Sequence, residues 1–287
     1  KKPVFGAIDS ETGRIYPRYR QMVETGRTVS KEPHIQGVAK GRGYRRVVVA
    51  EEGHKLVVCD FSQIELRILA EISQDPRLIK AFEEEKDLHT TMAASVFGVK
   101  EDQVTSDPRS AGKTMNFGLI YGMSSRTLAA KLGVPENEAF EFMSNYFASI
   151  PRAKALLDKW TVEVYSDFYS ETLYGRKRYY PAWFGKRVNG RYEDGAYRSN
   201  QAKNTPIQGT GADILKLAVL YVHDAIRSNH ADIVIINQDE IVVEVIEDQA
   251  EEVAQIVKKE MERAGNEILK TVPVVVDLAV GDTWEKP

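Results

Sequence analysis

The sequence has a single cysteine, Cys59, and no long apolar run. One cysteine cannot form an internal disulfide, so the composition favours a reducing compartment, whether in a bacterium, a virus-infected cell or an organelle. No stretch approaches the ~18 apolar residues that span a bilayer, which argues against a membrane protein. The chain starts at Lys1, without a methionine or an apolar signal region, and this indicates a piece of something longer.

The sequence also has little excess of one charge over the other, since its net charge is only −3. The distribution is uneven: residues 1–50 hold 11 Lys and Arg against 4 Asp and Glu, and residues 171–204 hold 8 against 3. Residues 232–267 hold 3 basic and 11 acidic side chains. An anionic partner responds to local charge, so the basic segments are compatible with nucleic acid. A solvated surface that happens to cluster is the alternative.

Hydrophobic periodicity predicts a mixed chain. Short β-type runs occupy 47–50 and 56–59, and the apolar spacing turns helical from Phe61. Asp107 followed by Pro108 is typical of a helix N-cap, which predicts a helix through about Tyr121. Further segments are predicted as helices at 78–82, 88–97, 124–132, 136–147, after Pro151, 207–228 and 248–265, and as strands at 173–180, 233–236, 241–246 and 272–280. The predicted fold class is α+β: a few antiparallel strands with a long helical insertion before a hairpin.

Carboxylates mark two ends of predicted strands. Asp60 follows one strand, and Asp239 with Glu240 lies at the tip of the hairpin. Each alone is explained by helix capping or turn chemistry. If the two strands are neighbours in one sheet, however, the carboxylates converge and need cations between them. Hard oxygen ligands select Mg²⁺ or Mn²⁺, and two such ions can activate a hydroxyl and stabilise a leaving pyrophosphate.

The helix from Asp107 carries a second pattern. Arg109, Lys113, Phe117 and Tyr121 are each four residues apart, and this spacing places them on one helical face. An ordinary amphipathic helix is the alternative. Two cations followed by two aromatics suit a nucleoside triphosphate, because cations hold phosphate oxygens and a ring packs against base or sugar.

These segments resemble the motifs of the family A DNA polymerases. Asp60-Phe-Ser-Gln-Ile-Glu-Leu-Arg67 is similar to the first palm motif, and Gln238-Asp239-Glu240 is similar to the second. Residues 109–122 resemble the fingers motif, with every diagnostic position filled. Supporting matches lie at residues 25–27, 87–89, 174–176, 208–210 and 281–284. The resemblance therefore covers nearly the whole chain, in order.

The resemblance implies template-directed DNA synthesis by a DNA-directed DNA polymerase, a nucleotidyltransferase that uses two Mg²⁺ ions, which Mn²⁺ can replace. Asp60, Asp239 and the carbonyl of Phe61 would hold the ions, with Glu240 in a supporting catalytic role. Lys113 would protonate the leaving pyrophosphate.

The resemblance also implies how a dNTP binds. Arg109 and Lys113 would grip the triphosphate with His89 nearby, and Gln63 is a further nucleotide-binding residue. Tyr121 and Glu65 would close over the sugar and reject a ribose 2′-hydroxyl. Phe117 would pack under the nucleotide, and its missing hydroxyl implies discrimination against dideoxynucleotides.

Primer-template DNA is the implied macromolecular partner. Arg27, Gln208 and Gln238 would face the minor groove at the primer end, and the basic segments would contact phosphates. Gln238 stands where the family usually has His, and both His34 and Gly37 stand where it has Asn. These departures put the corresponding template or primer contacts in question.

The implied organisation is a right-hand polymerase without thumb or exonuclease. Residues 1–75 and 201–287 would form the palm, and residues 76–200 the mainly helical fingers. A monomer that needs the missing thumb and exonuclease segment would lack proofreading and hold DNA poorly. Two alternatives are a non-catalytic or poorly active DNA-binding fragment and a single-subunit RNA polymerase, against which Glu65 and Tyr121 argue.

Overall fold

The computed structural model describes residues 4–21, 23–40, 43–180, 187–188, 191–192 and 195–286. Within them the strands are, in chain order, β1 (Arg18–Arg20), β2 (Val29–Lys31), β3 (His54–Phe61), β4 (Tyr169–Glu171), β5 (Lys177–Tyr179), β6 (Arg187–Val188), β7 (Arg191–Tyr192), β8 (Asp232–Asn237), β9 (Glu240–Ile246) and β10 (Val276–Gly281). The α-helices are α1 (Ile64–Ser73), α2 (Pro76–Glu83), α3 (Leu88–Phe97), α4 (Ser106–Leu119), α5 (Ser125–Leu132), α6 (Glu136–Ser149), α7 (Pro151–Asp167), α8 (Gly195–Ile226) and α9 (Ala250–Ile268).

The chain divides into two compact units. The first, here called the sheet unit, comprises Lys1–Ile64, Gly211–Ile268 and Val274–Pro287. The second, the helical unit, comprises Glu65–Thr210 and Leu269–Pro273. The helical unit is thus an insertion between strands of the sheet unit, as the sequence predicts.

An antiparallel sheet of order β10-β3-β9-β8 organises the sheet unit. Its central strand β3 is apolar on both faces, which is typical of a strand covered on both sides. On one face Leu56 and Val58 pack with Val242 and Trp284. The other face lies under α9, which packs against β3 and β10 and buries Val253, Val257 and Met261 among others.

The helical unit is built on pairs of packed helices, with α3 against α4 and α6, and α5 against α6. Asp75 ties two of its helices together. Its carboxylate accepts the backbone N–H of Arg77 at 3.1 Å, which caps α2, and the N–H of Arg152 at 3.0 Å at the start of α7. A buried carboxylate with several such donors satisfies helix-end groups that have no partner within the helix.

The predicted α+β class and the β8–β9 hairpin are confirmed, but several details differ, among them the strand predicted at 173–180, of which only Lys177–Tyr179 is a strand. Residues 47–50 do not form a strand: a 3-10 turn at Tyr44–Val47 is followed by a single bridge from Val49 to Thr283. The first helix begins at Ile64, because β3 continues through Phe61. Thr105, not Asp107, is the N-cap of α4. The predicted helix at 207–228 begins earlier, at Gly195, and runs through Pro206.

None of the described helices combines the length and the apolarity needed to cross a bilayer.

Candidate functional site

The sheet brings the predicted carboxylates of the sheet unit together. Asp60 lies near the end of β3 and is directly opposite Glu240, the first residue of β9. The N–H of Phe61 donates to the carbonyl of Asp239 at 3.1 Å, so the hairpin tip is fixed beside the end of β3. The condition stated from the sequence, that the two strands be neighbours, is met. We call Asp60 and Asp239 the carboxylate centre.

Two lysines compensate the charge of this centre. Lys40 Nζ lies 2.7 Å from Asp60 Oδ2, and Lys286 Nζ lies 3.6 Å from the same atom. Burial acts to lower the pKa of Lys40, but the charges of Asp60, Glu240 and Asp239 outweigh it and raise that pKa. The centre therefore attracts cationic groups.

The pKa of Asp239 is strongly shifted at the carboxylate centre. Burial first, and then the charge of Asp60, raise the pKa of Asp239 to about 7. Lys40 acts in the opposite direction. Asp60 Oδ1 is buried and has no hydrogen-bond partner in the described part of the chain. Two facing carboxylates with an unpartnered buried oxygen fit a hard divalent cation, which would return Asp239 to its ionised form.

Glu240 has a different environment. Its side chain is fully buried, and Arg45 Nη1 donates to both of its carboxylate oxygens at 3.1 Å. The indole Nε1 of Trp284 donates to Glu240 Oε1 at 2.7 Å. Among the described residues, no group of three or more His, Cys, Asp or Glu side chains is arranged to hold a metal ion. Of the three predicted acidic residues, Glu240 is thus engaged by Arg45 and Trp284, whereas Asp60 Oδ1 has no partner in the described structure.

In the helical unit, α4 presents the predicted face. Arg109 and Lys113 are exposed, and the ring of Phe117 is 40% exposed although it is apolar. Tyr121 follows the helix end at Leu119. Exposure of a large ring beside two cations leaves this face open to a planar, anionic ligand.

Carboxylates hold both ends of this face. Arg109 Nε donates to Asp87 Oδ2 at 2.6 Å, which orients the guanidinium. The hydroxyl of Tyr121 donates to Glu65 Oε2. The structure therefore brings Tyr121 and Glu65 into direct contact, and their predicted role at the sugar stays a prediction.

His89 is buried behind the same face. Its Nδ1 contacts the amide nitrogen of Asn116 at 2.8 Å, and its ring lies 5.7 Å from that of Phe117. Burial is the main cause that lowers the pKa of His89, and the charges of Arg109 and Lys113 add to it, while Asp87 opposes them. His89 is thus kept neutral, as a packing and hydrogen-bonding group.

Comparison with known proteins decides the family. The sequence matches the family model described as DNA polymerase family A over residues 2–286. This chain is a member of DNA polymerase family A. The predicted resemblance is confirmed, and the sheet and helical units can be compared with the palm and fingers motifs of the family.

Curated relatives of known name support the same family assignment. DNA polymerase I of Thermus thermophilus, described as thermostable, is 39% identical over 287 residues, covering 98% of this chain and 34% of the relative. DNA polymerase I of Pseudomonas aeruginosa is 40% identical over 286 residues, covering 97% of this chain and 31% of the relative. The chain therefore spans about a third of these curated relatives.

A solved structure also matches. The POL domain of Pol1 from M. smegmatis, in complex with DNA primer-template and dNTP, superposes with a TM-score of 0.88 at 34% sequence identity. The match covers 98% of this chain and 50% of that one. The α+β fold is therefore that of a family A polymerase domain.

The remaining predicted residues lie at several places. In the sheet unit, Gln238 is exposed at the hairpin tip with φ of 58°, and Arg27 is half-buried. Gln63 has φ of 52° between β3 and α1, and its Oε1 is buried without a partner in the described structure. Phe61 is buried in the sheet unit. Gln208 is half-buried on α8, in the helical unit. Their roles stay predictions.

His34 and Gly37, the two positions at which the family pattern has Asn, lie in contact with each other. His34 Nδ1 hydrogen-bonds the carbonyl of Ser30 at 2.9 Å. A Cβ added to Gly37 would lie 2.7 Å from the His34 ring. The ring therefore occupies the space that a side chain at position 37 would need, so the two departures go together.

Four residues around the carboxylates were not predicted from the sequence. Lys40 and Arg45 lie in the basic segment at 1–50, where one more cation is unremarkable, and Lys286 lies outside every predicted motif. Trp284 lies in the Gly-Asp-Thr-Trp segment noted as a family match, but its donor role toward Glu240 depends on a contact that only the fold reveals.

Proposed function

We propose that this chain carries the template-directed DNA synthesis centre of a longer family A polymerase. It would add dNTPs to a primer 3′-hydroxyl and release pyrophosphate. Family membership and the names of the relatives support this reaction class. Because the chain spans about a third of those relatives, the activity, substrates and partners of the whole protein are part of the proposal.

The carboxylate centre is the observation that carries the proposal. Asp60 and Asp239 meet at the ends of neighbouring strands, and the disturbed pKa of Asp239 together with the unpartnered Asp60 Oδ1 supports cation binding there. Asp60, Asp239 and the carbonyl of Phe61 would hold two Mg²⁺ ions, or Mn²⁺ in their place. When bound, such ions activate a hydroxyl nucleophile and neutralise charge on a leaving pyrophosphate.

The helical unit would bind the nucleotide. Arg109 is already oriented by Asp87 through its Nε, and its terminal nitrogens suit the paired oxygens of a phosphate. Lys113, one turn along the same face, would bind the triphosphate as a point charge and donate a proton to the departing pyrophosphate. Neutral His89 would assist by hydrogen bonding, and Phe117 by packing under the nucleotide.

Choice of sugar would depend on Tyr121 and Glu65. Their direct hydrogen bond favours a closed wall against which a ribose 2′-hydroxyl would collide or lose its solvation. An RNA polymerase must admit that hydroxyl, so this contact favours dNTPs over NTPs.

Primer-template DNA would be held mainly through phosphates. Arg27, Gln208 and Gln238 would face the minor groove at the primer end, and the basic segments at 1–50 and 171–204 would contact the backbone. We assign residues 1–75 and 201–287 to the palm and residues 76–200 to the fingers. The chain would work as a monomer together with the thumb and exonuclease segment of a longer polypeptide.

Single-nucleotide primer extension tests the proposal, with Mg²⁺, low salt and enzyme in excess over DNA. Asp239→Ala should lower templated addition at least about 1,000-fold, since cation binding supplies several kcal/mol to the chemical step. Its thermal melting should stay near that of wild type, because Asp239 lies at the hairpin tip between β8 and β9. Asp232→Ala, an exposed position at the start of β8, is the matched control.

Two outcomes would contradict the proposal in different ways. Extension by Asp239→Ala at the wild-type rate would overturn the assignment of metal ligands. Duplex binding without any nucleotide addition by the wild-type chain would favour the second candidate, a non-catalytic DNA-binding fragment.

A further inference from the structure

Glu240 and Arg45 form a buried ion pair beside the carboxylate centre. Glu240 is 0% exposed and Arg45 is 4% exposed, so neither charge is solvated by water. Arg45 Nη1 reaches both oxygens of Glu240 at 3.1 Å. A buried charge is tolerated when a partner compensates it, and the loss of one partner leaves the other unpaired at a high cost in stability.

Trp284 completes this arrangement. Its indole Nε1 donates to Glu240 Oε1 at 2.7 Å, and the Arg45 guanidinium lies 4.0 Å from the centroid of the Trp284 ring. One aromatic side chain thus hydrogen-bonds the anion and stacks under the cation. The backbone N–H of Trp284 also donates to the carbonyl of Val48 at 3.0 Å, which fixes the indole against the segment that carries Arg45.

The position of Glu240 links it to both members of the carboxylate centre. It follows Asp239 directly in the chain, and it lies opposite Asp60 in the β3–β9 register. Lys40 Nζ, which contacts Asp60 Oδ2 at 2.7 Å, is 3.8 Å from Glu240 Oε2. A shift of Glu240 would therefore move the backbone that places Asp239.

We propose that Arg45, Glu240 and Trp284 are positioning residues for the carboxylate centre, and that Glu240 is the counter-ion of Arg45 and not a ligand of the catalytic metals. This inference depends on the proposed function of Asp60 and Asp239. For Glu240 to bind an ion, it would have to give up its bonds to Arg45 and Trp284 and leave a buried guanidinium unpaired. Substitution of groups that hydrogen-bond to metal ligands and orient them commonly lowers metal affinity about 10- to 100-fold.

The test is the Mn²⁺ affinity of the chain in the absence of nucleotide and DNA. Electron paramagnetic resonance of the free ion measures it, so the result does not depend on catalytic activity. Trp284→Phe keeps the ring under Arg45 and removes the N–H donor, and should weaken Mn²⁺ binding about tenfold. Trp160→Phe, on α7 in the helical unit, is the matched control and should leave the affinity unchanged. Equal affinity of Trp284→Phe and wild type would overturn the role of Trp284.

The decisive comparison separates a ligand from a counter-ion. Glu240→Gln alone should lower the melting temperature by about 10 °C and weaken Mn²⁺ binding, because Arg45 loses its counter-charge. Adding Arg45→Met removes the unpaired cation, so the double variant should regain most of the melting temperature and bind Mn²⁺ about tenfold more weakly than wild type, as Trp284→Phe does, because only positioning contacts are lost. A double variant that regains stability but still binds Mn²⁺ as weakly as Asp239→Asn would show that Glu240 is a ligand.

A second ion pair on the same strand provides the control for charge removal. Arg14 Nη2 contacts Glu244 Oε2 at 2.8 Å, and Glu244 lies four residues along β9 from Glu240. Arg14→Met with Glu244→Gln should leave the Mn²⁺ affinity unchanged, and a loss equal to that of Glu240→Gln would overturn a local positioning role. If Asp239→Asn binds Mn²⁺ like wild type, the metal site itself is misassigned, and the proposed function fails together with this inference.

Discussion

His89 is a buried imidazole that its surroundings keep neutral. Burial comes first among the causes that lower the pKa of His89 below the ordinary value of 6.5, and the cations of Arg109 and Lys113 follow. Protonation would also direct a charged ring nitrogen at the amide nitrogen of Asn116, which lies 2.8 Å away. The folded state therefore binds a proton at His89 less readily than the unfolded chain does.

This difference gives stability a predictable dependence on pH. As pH falls below about 6.5, the unfolded chain takes up the proton first, so the free energy of unfolding falls until the pH reaches the lowered pKa of the folded state. Protonation of Asp239 acts in the opposite sense over this range, and equally in each variant, so the test is the difference between them. Between pH 7.5 and 5.5, measured by urea unfolding, His89→Gln should gain stability relative to wild type, whereas His230→Asn, at an exposed position, should follow wild type. Identical pH dependence in all three proteins would contradict the account of His89.

At the residue scale, the sequence predicts side chains that share one element better than those that meet across the fold. Arg109, Lys113 and Phe117 follow from helical spacing alone, and the structure places all three on exposed positions of α4. Arg45 and Trp284 contact each other only because the sheet unit brings distant segments together. No periodicity encodes such a contact.

Helices α3 and α4 approach each other closely at Gly112. A Cβ added there would lie 2.2 Å from the carbonyl oxygen of His89, a backbone atom that cannot rotate away. Gly112→Ala should therefore force the helices apart and lower the free energy of unfolding by about 1–3 kcal/mol. Chemical denaturation monitored by circular dichroism measures the change.

Gly118 supplies a control within the same helix. A Cβ there would meet Met123 Cε at 2.0 Å, which is the far end of a flexible side chain that can move aside. Gly118→Ala should cost little, or stabilise by up to about 1 kcal/mol through better helix propensity. If both alanine variants lost the same stability, the close backbone approach at Gly112 would not be the cause.

At the element scale, the existence and type of most segments followed from apolar periodicity, whereas some ends did not. The predicted helix at 88–97 matches α3, with Gly98 in the left-handed conformation that ends it. The predicted start of the helix at 207 is wrong, because α8 begins at Gly195 and continues through Pro206. Pro206 lacks the N–H that Ala202 would normally receive, and Ser170 Oγ donates to that carbonyl at 3.4 Å instead. A side chain from another element thus sustains the helix.

For the whole molecule, a net charge of −3 conceals basic segments that would contact DNA. If about four phosphates are neutralised, duplex affinity should fall about 100-fold between 50 and 200 mM salt, because bound counterions are released on association. Fluorescence anisotropy with a labelled primer-template duplex measures this, and single-stranded DNA of the same length should give a shallower slope. Affinity that is insensitive to salt would exclude phosphate contacts as the main source of binding.

The order of strands in the central sheet has a consequence for synthesis on the ribosome. Both hydrogen-bonding neighbours of β3 come from the end of the chain, and 180 positions separate Asp60 from its partner Glu240. At about 5–20 residues per second, β3 emerges about 10–40 s before either edge can be paired. During that interval the strand is an apolar segment open to aggregation, so a nascent-chain chaperone that binds short apolar segments should protect this protein early in translation.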